Sequence, residues 1–450
     1  MIMDLTKHSV YFVSLGCPKN LVDSQIISGC LLAQGAAWAY TPDEATLYII
    51  NTCAFLPEAR EEACREIEEA VNWKNSLPGG RRIIVCGCLS QYDKDSAFAS
   101  RYPEVDVWAG VDDLERIADI VENKAQVSRT TEYLYTSDTP ALQLTMPHTA
   151  YIKISDGCNN FCSYCAIPNL RGRVRSRRQD DIVREAENLI ANGASELIIT
   201  AQDITVYGCD HPERKENIAT LLTALDELDG DFGIRLLYTH PAHYTDEFFD
   251  VLGRMKHLIP YIDIPLQHIS DRILKSMNRH VDQARIREII GRLRETVPGI
   301  TIRTTFITGL PGESEEEFAE LENFLKEMKF DRVGVFPFSP EPGTPAAGMP
   351  DQIPFEIAEK RAAKLMANQQ KRMRSANRKL IGTVQQVTID SVEEGYAVAR
   401  GNADAPDIDN LIYVDTAGRR VKNGQKIEVE ICDIDGSDLI AVICRGKRKK

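Results

Sequence analysis

Between residues 149 and 348 the chain repeats one pattern six times: a short β-branched run followed by a stretch with helical spacing. The runs are 151–154, 196–200, 234–238, 261–264, 301–307 and 332–336. Apolar runs of this length read as strands buried on both faces, and strands separated by helices pair in parallel because each connection is a crossover. Between the first two runs, Ile182, Val183, Ala186, Leu189 and Ile190 share one helix face. Another helix is expected near Ser314, where an acidic first turn suits the helix dipole. Six such units predict a complete or partial barrel, with functional residues on loops at the C-terminal strand ends.

The flanking segments have their own character. Residues 8–124 carry buried runs at 10–15, 47–50 and 83–85 and a helical stretch at 58–73, which predicts a parallel sheet with helices on both faces. From about 126 to 148 the pattern lapses into Ser, Thr and Pro, the signature of a linker. The central unit, 144–380, ends in a charged helix from about 355 to 380, read as a solvated connector with Ile357, Leu365, Met366, Met373 and Leu380 as its apolar stripe. Residues 381–446 show five short runs, 384–389, 396–399, 411–414, 426–431 and 439–443, separated by Gly, Asp and Asn. These predict a small five-stranded antiparallel barrel after the two α/β units. The last six residues, Arg445-Gly446-Lys447-Arg448-Lys449-Lys450, read as a disordered basic tail.

No apolar run approaches the roughly 18 residues of a membrane span, and the N-terminus lacks a basic region followed by an apolar one. A soluble cytoplasmic protein is the expectation. The net charge of −14 argues against a general nucleic-acid-binding surface and suits a basic partner. Twelve cysteines then ask for a reason, because disulfides are disfavoured in the cytoplasm and clustered thiols there bind metal or do chemistry.

Cys158, Cys162 and Cys165 lie directly after the first barrel run. Three thiolates on one short loop can reach three corners of an iron–sulfur cube and leave the fourth iron open. An open iron can bind S-adenosylmethionine and pass it an electron, yielding a radical that abstracts hydrogen from carbon; the cofactor carries that chemistry and the protein orients it. A zinc knuckle is the competing reading, but structural zinc favours a closed set of four ligands.

A second set emerges when the strands of the first unit are aligned. Cys17, Cys53 and Cys88 each follow the C-terminal end of a run, and in a parallel sheet those ends share one edge. Cys86 competes with Cys88, which matches the other two better because it follows a glycine at the loop. Cys30, Cys64, Cys209, Cys432 and Cys444 have no such context and read as buried thiols.

With these motifs the chain resembles the radical S-adenosylmethionine methylthiotransferases over nearly its whole length. The resemblance is carried by Gly157 through Pro168, by Arg171-Gly172-Arg173, by Pro265-Leu266-Gln267 with Ser270-Asp271-Arg272-Ile273-Leu274, and by Gly309-Leu310-Pro311-Gly312-Glu313. His268, Arg303-Thr304-Thr305-Phe306, Ala201-Gln202-Asp203-Ile204-Thr205 and the run 403–409 look like the branch that modifies an aspartate of the twelfth small-subunit ribosomal protein. The resemblance implies two 4Fe-4S clusters, held by Cys17, Cys53 and Cys88 and by Cys158, Cys162 and Cys165. It also implies S-adenosylmethionine as cofactor, an electron donor such as flavodoxin or ferredoxin, a monomer, and a small C-terminal barrel of the TRAM type.

The chemistry implied is conversion of C–H to C–S at the aspartate β-carbon, using two S-adenosylmethionine molecules and a sulfur donor. Both clusters must then face one cavity, so the cysteine edge of the first unit should cover the mouth of the barrel. Gly309, Gly312 and Glu313 form a glycine turn suited to close backbone approach to the cofactor, although such turns are often only structural. Gln202, Asp203 and His268 fall on strand-end loops and are the other candidates to contact it. The rival is the branch that methylthiolates a tRNA adenosine. Between residues 390 and 415 seven acids (Asp390, Glu393, Glu394, Asp404, Asp407, Asp409, Asp415) face only Arg400, which predicts a barrel that recognises a basic protein rather than phosphates.

Overall fold

The computed structural model describes residues 5–77, 79–123, 128 and 130–444; the basic tail lies outside them. The first sheet has five parallel strands: Ser9–Ser14 (β1), Ala37–Trp38 (β2), Leu47–Thr52 (β3), Arg82–Gly87 (β4) and Val107–Ala109 (β5). Their order is β2-β1-β3-β4-β5. Alternate residues serve opposite faces. Tyr48, Ile50, Ile83 and Val85 pack under helix Pro57–Ser76, while Leu47, Ile49 and Ile84 pack under helix Pro18–Ala33. β2 and β5 were not expected; two or three residues carry no readable period.

The six central runs form one parallel sheet of Thr149–Lys153 (β6), Glu196–Thr200 (β9), Gly233–Leu236 (β10), Leu258–Asp263 (β11), Thr301–Thr308 (β12) and Arg332–Pro337 (β13), with the short hairpin Ser155–Asp156 (β7) and Arg175–Ser176 (β8) beside it. Neighbours follow chain order, and β6 does not pair with β13, so the barrel is partial. Its outer face packs on the helices through one continuous core. Its inner face is covered from two sides. Tyr151, Ile198, Leu237 and Tyr261 share a core with Val22, Ile26 and Leu31 of the Pro18–Ala33 helix and with Ala405 from the C-terminal unit.

Residues 130–148, read as a linker, are instead partly anchored. Tyr135 is buried against Arg177 with its hydroxyl 3.3 Å from the Lys153 carbonyl, and Leu142 N donates to the Gln25 carbonyl at 2.9 Å. Isolated aromatic anchors in a polar strap leave no periodic signal.

The C-terminal strands Val384–Val392 (β14), Tyr396–Arg400 (β15), Ile412–Asp415 (β16), Lys426–Asp435 (β17) and Asp438–Ile443 (β18) close a barrel in the order β14-β15-β16-β18-β17. The expected five-stranded barrel forms, but it is not wholly antiparallel: β16 and β18 pair in parallel. Strand direction cannot alternate around a ring of five, so one seam must be parallel.

The acid count in this unit also needs correcting as a surface argument. Asp390 sits between His148 (2.9 Å) and Arg400 (2.5 Å), Asp404 pairs with Arg332 at 2.5 Å, and Asp409 accepts from the Tyr261 hydroxyl at 2.6 Å. These three acids join the small barrel to the base of the large one. Arg400 itself is buried against Glu196, which also holds Arg235. Only Glu393, Glu394, Asp407 and Asp415 of the seven are exposed, and exposed Arg419, Arg420 and Lys422 lie on the same unit. No helix of the described residues is long and apolar enough to cross a membrane.

Candidate functional site

Cys17 caps the Pro18–Ala33 helix after β1, Cys53 follows β3, and Cys88 opens the short helix Cys88–Tyr92 after β4. In this strand order β1 and β3 flank the point where the connections reverse direction, the usual ligand crevice of an open parallel sheet. Two glycines make the approach possible. Gly16 (φ +95°) and Gly87 (φ +89°) adopt backbone that side chains disfavour, and a Cβ on Gly16 would stand 2.7 Å from Cys53 Cβ. Cys86 lies inside β4, fully buried, with Sγ 3.5 Å from the Ile50 carbonyl. Cys88 is the member placed at the edge with Cys17 and Cys53.

The charges around this set come from both domains. Burial works to raise the Cys17 thiol, yet Lys19, the Asn20 amide and Arg171 outweigh it and hold it below its usual range. Burial and neighbouring Cys88 push Cys53 up to about 12, and burial raises Cys88 despite Arg171. Arg171 reaches across from the barrel, its Nη2 3.3 Å from Cys88 Sγ. Lys19 is buried with Nζ 3.2 Å from the centre of the Tyr238 ring, just past β10. The cysteine edge of the first domain therefore meets the mouth of the barrel.

The second set is pinned by its own loop. Cys158 N donates to the Gly172 carbonyl and Cys165 N to the Cys162 carbonyl, both at 3.0 Å, while the Asn278 amide holds the Asn160 and Phe161 carbonyls. Buried Arg279 places Nη1 3.5 Å from Cys162 Sγ. Burial pushes Cys158 up to about 11 and Cys165 up to about 12, the latter with Cys162 as the next contributor. Cys53 and Cys88 in one set and Cys158 and Cys165 in the other thus resist ionising, each pair next to a fixed arginine. A bound metal centre removes that resistance by taking the proton's place, which is how thiolate sites couple to binding.

Gln202 and Asp203, adjacent after β9, fork towards the two sets. Gln202 Nε2 donates to Asp156 Oδ1 at 2.7 Å, and Asp156 Oδ2 also accepts from Lys153 and Arg171. Asp203 Oδ2 accepts from Asn160 Nδ2 at 2.8 Å, inside the Cys158–Cys162 loop. Sequence reasoning missed Lys19, Arg279, His240 and His243. A polar residue just past a strand end was the available signal for the two histidines. Asp203, His240 and His243 offer atoms within 4.8 Å of one another. They do not make a ready metal site. Asp203 orients the Asn160 amide so that its Oδ1 faces His243 Nε2 at 2.7 Å, and His240 Nδ1 accepts from Ala242 N at 3.2 Å. Both Nε2 atoms therefore carry hydrogen and act as donors.

His268, Gly309, Gly312 and Glu313 gather elsewhere. A Cβ on Gly309 would stand 2.2 Å from Ala358 Cβ, so this glycine admits the Phe355–Arg378 helix. His268 and Glu313 side chains are fully buried, 4.0 Å apart, beyond hydrogen-bond reach, with Arg361 3.4 Å from Glu313. Burial pushes His268 down to about 4 and, against the Gly309 amide and Arg361, pushes Glu313 up to about 7.

Because the folded protein holds the Glu313 proton more tightly than the unfolded chain, its contribution to stability falls as pH rises from about 4.5 through about 7. Glu313→Gln is expected to match the wild type near pH 4 and to exceed it at pH 8 by on the order of 3 kcal/mol. Thermal melts at the two pH values check this; an equal offset at both would contradict it.

Comparison with known proteins agrees with this layout. Residues 9–110 match the uncharacterized protein family UPF0004, 152–325 the radical SAM superfamily and 381–444 the TRAM domain. The chain is 40% identical over 450 residues to the ribosomal protein uS12 methylthiotransferase RimO of Geobacter sulfurreducens, covering 98% of this chain and 100% of that one. It is 41% identical over 429 residues to the protein of the same name from Akkermansia muciniphila, covering 90% and 94%. Among solved structures, the radical S-adenosylmethionine methyltransferase TsrM of Kitasatospora setae shares the fold at a TM-score of 0.56 and 15% identity, over 75% of this chain and 73% of that one. Given the extent of these matches and the domain order they share, the chain belongs to the ribosomal protein uS12 methylthiotransferase family, RimO.

Proposed function

We propose that the protein methylthiolates the β-carbon of an aspartate on ribosomal protein uS12. The observation that carries this reading is that the three-cysteine edge of the first domain is tied to the barrel carrying the other three cysteines, through Arg171 on Cys88 and Lys19 on Tyr238. Cys17, Cys53 and Cys88 would hold one 4Fe-4S cluster, and Cys158, Cys162 and Cys165 the other. When bound there, the clusters and S-adenosylmethionine supply one-electron reduction, hydrogen abstraction and the methylthio group.

The chain's own residues position and enclose. Asp203 and Asn160 fix the radical loop from β9, and His240 Nε2 is a buried donor with no hydrogen-bond partner among the described residues, available to an acceptor of a bound cofactor. Gln202 steadies Asp156 at the seam. Phe55, Leu56 and Phe161, each close in sequence to a cluster cysteine, stay exposed and offer apolar contact to a protein substrate. The burial of His268 and Glu313 favours a structural role for the Gly309–Glu313 turn over direct cofactor contact. A monomer in the cytoplasm, reduced by a flavodoxin or ferredoxin, fits this assignment. The tRNA reading has no comparable support.

Anaerobic reconstitution tests the cofactor assignment. The expected result is two clusters, about eight irons per chain, with S-adenosylmethionine cleaved after reduction. Zinc in their place, or iron without cleavage, would overturn it.

A further inference from the structure

We infer that Arg171 is a positioning residue for the N-terminal cluster, donating a hydrogen bond to Cys88 Sγ that sets how readily that cluster accepts an electron. This rests on the reading that Cys17, Cys53 and Cys88 hold a cluster. Arg171 is 2% exposed and its guanidinium is held on both sides. Nη1 donates to Asp23 Oδ2 at 2.6 Å and to Asp156 Oδ2 at 3.2 Å; Nη2 donates to Asn20 Oδ1 at 3.0 Å and to Cys88 Sγ at 3.3 Å. The planar fork has no freedom to turn away, and lysine could not reproduce its several bonds at once.

Charge alone does not explain the contact. Lys153 lies on the same two carboxylates, at 2.5 Å from Asp23 and 2.9 Å from Asp156, so two cations meet two anions. The guanidinium charge acts on Cys88 through space, and the directed N–H···S bond is the further contact that a charge-keeping lysine would not reproduce. Such a bond draws electron density from the sulfur and stabilises the reduced, more negative cluster, raising its potential. The radical set differs. Its arginine, Arg279, is 3.5 Å from Cys162 Sγ but turns its other nitrogen to the Pro265 carbonyl rather than to a carboxylate. Altering Arg171 should therefore move one cluster and spare the other.

The test is an EPR-monitored redox titration of the reconstituted full-length enzyme, wild type beside Arg171→Gln and Arg171→Lys. A background lacking the Cys158, Cys162 and Cys165 thiols assigns the signals. The midpoint of the N-terminal cluster is expected to fall in both variants, further for Gln than for Lys, with the barrel cluster unchanged. If the Gln variant takes up no second cluster, the Lys variant decides by the same criterion. An unchanged midpoint with a lowered melting temperature would make Arg171 only a tie between domains and overturn the inference, as would failure of both variants to take up the cluster. A wild type with a single cluster would instead remove the underlying assignment.

Discussion

Changing Cys17, Cys53 and Cys88 together to alanine is expected to leave reductive cleavage of S-adenosylmethionine intact while abolishing methylthio transfer. The same change at Cys158, Cys162 and Cys165 is expected to abolish both. The asymmetry follows from where the sets sit. Among the described residues, the hydrogen bonds to the radical loop come from barrel groups, including Asn278, Gly172, Asp203 and Arg279. It should therefore keep its shape when the first domain loses its thiols. Each loss should exceed about a hundredfold, the upper end of what losing even an outer partner of a metal ligand costs. Product analysis by mass spectrometry, scoring cleaved cofactor and modified protein separately, reads the two activities. Equal loss of cleavage in both triple variants would contradict the division of labour.

The largest effect on stability is expected from Asp23→Ala. Asp23 is 1% exposed and holds both Lys153 (2.5 Å) and Arg171 (2.6 Å). Without it two buried cations share Asp156 alone. Removing one partner from a buried ion pair costs about 3–5 kcal/mol, because the surviving charge stays desolvated. The melting temperature should fall by several degrees at least. Adding Lys153→Met to that variant should restore part of the loss, since one cation and one carboxylate then remain beside each other. A double variant no more stable than the single would place the cost in packing rather than in unpaired charge.

This buried cluster shows where the sequence stopped being readable. Strands such as Glu196–Thr200 announced themselves because both faces are covered, and a fully buried strand needs an unbroken apolar run. The cysteines announced themselves because metal chemistry needs particular atoms at particular loop ends. The Pro18–Ala33 helix gave no such warning. It is buried on nearly every side, yet it carries Lys19, Asn20, Asp23 and Ser24 inward. Those residues look like a solvated face until a second domain is placed against them. The seven acids of residues 390–415 misled for the same reason: Asp390, Asp404 and Asp409 have partners some 70 to 240 positions away in sequence, at His148, Arg332 and Tyr261. His240 and His243 went unread because a polar residue past a strand end is a weak signal by itself, and only the fold brings both beside Asp203.

The most direct measurement incubates the reduced, reconstituted enzyme with S-adenosylmethionine, a sulfide source and either uS12 or tRNA, followed by mass spectrometry of both. The expected result is a methylthio group on one aspartate of uS12 and none on tRNA. Methylthiolated adenosine, or cofactor cleavage with uS12 left unmodified, would contradict the account.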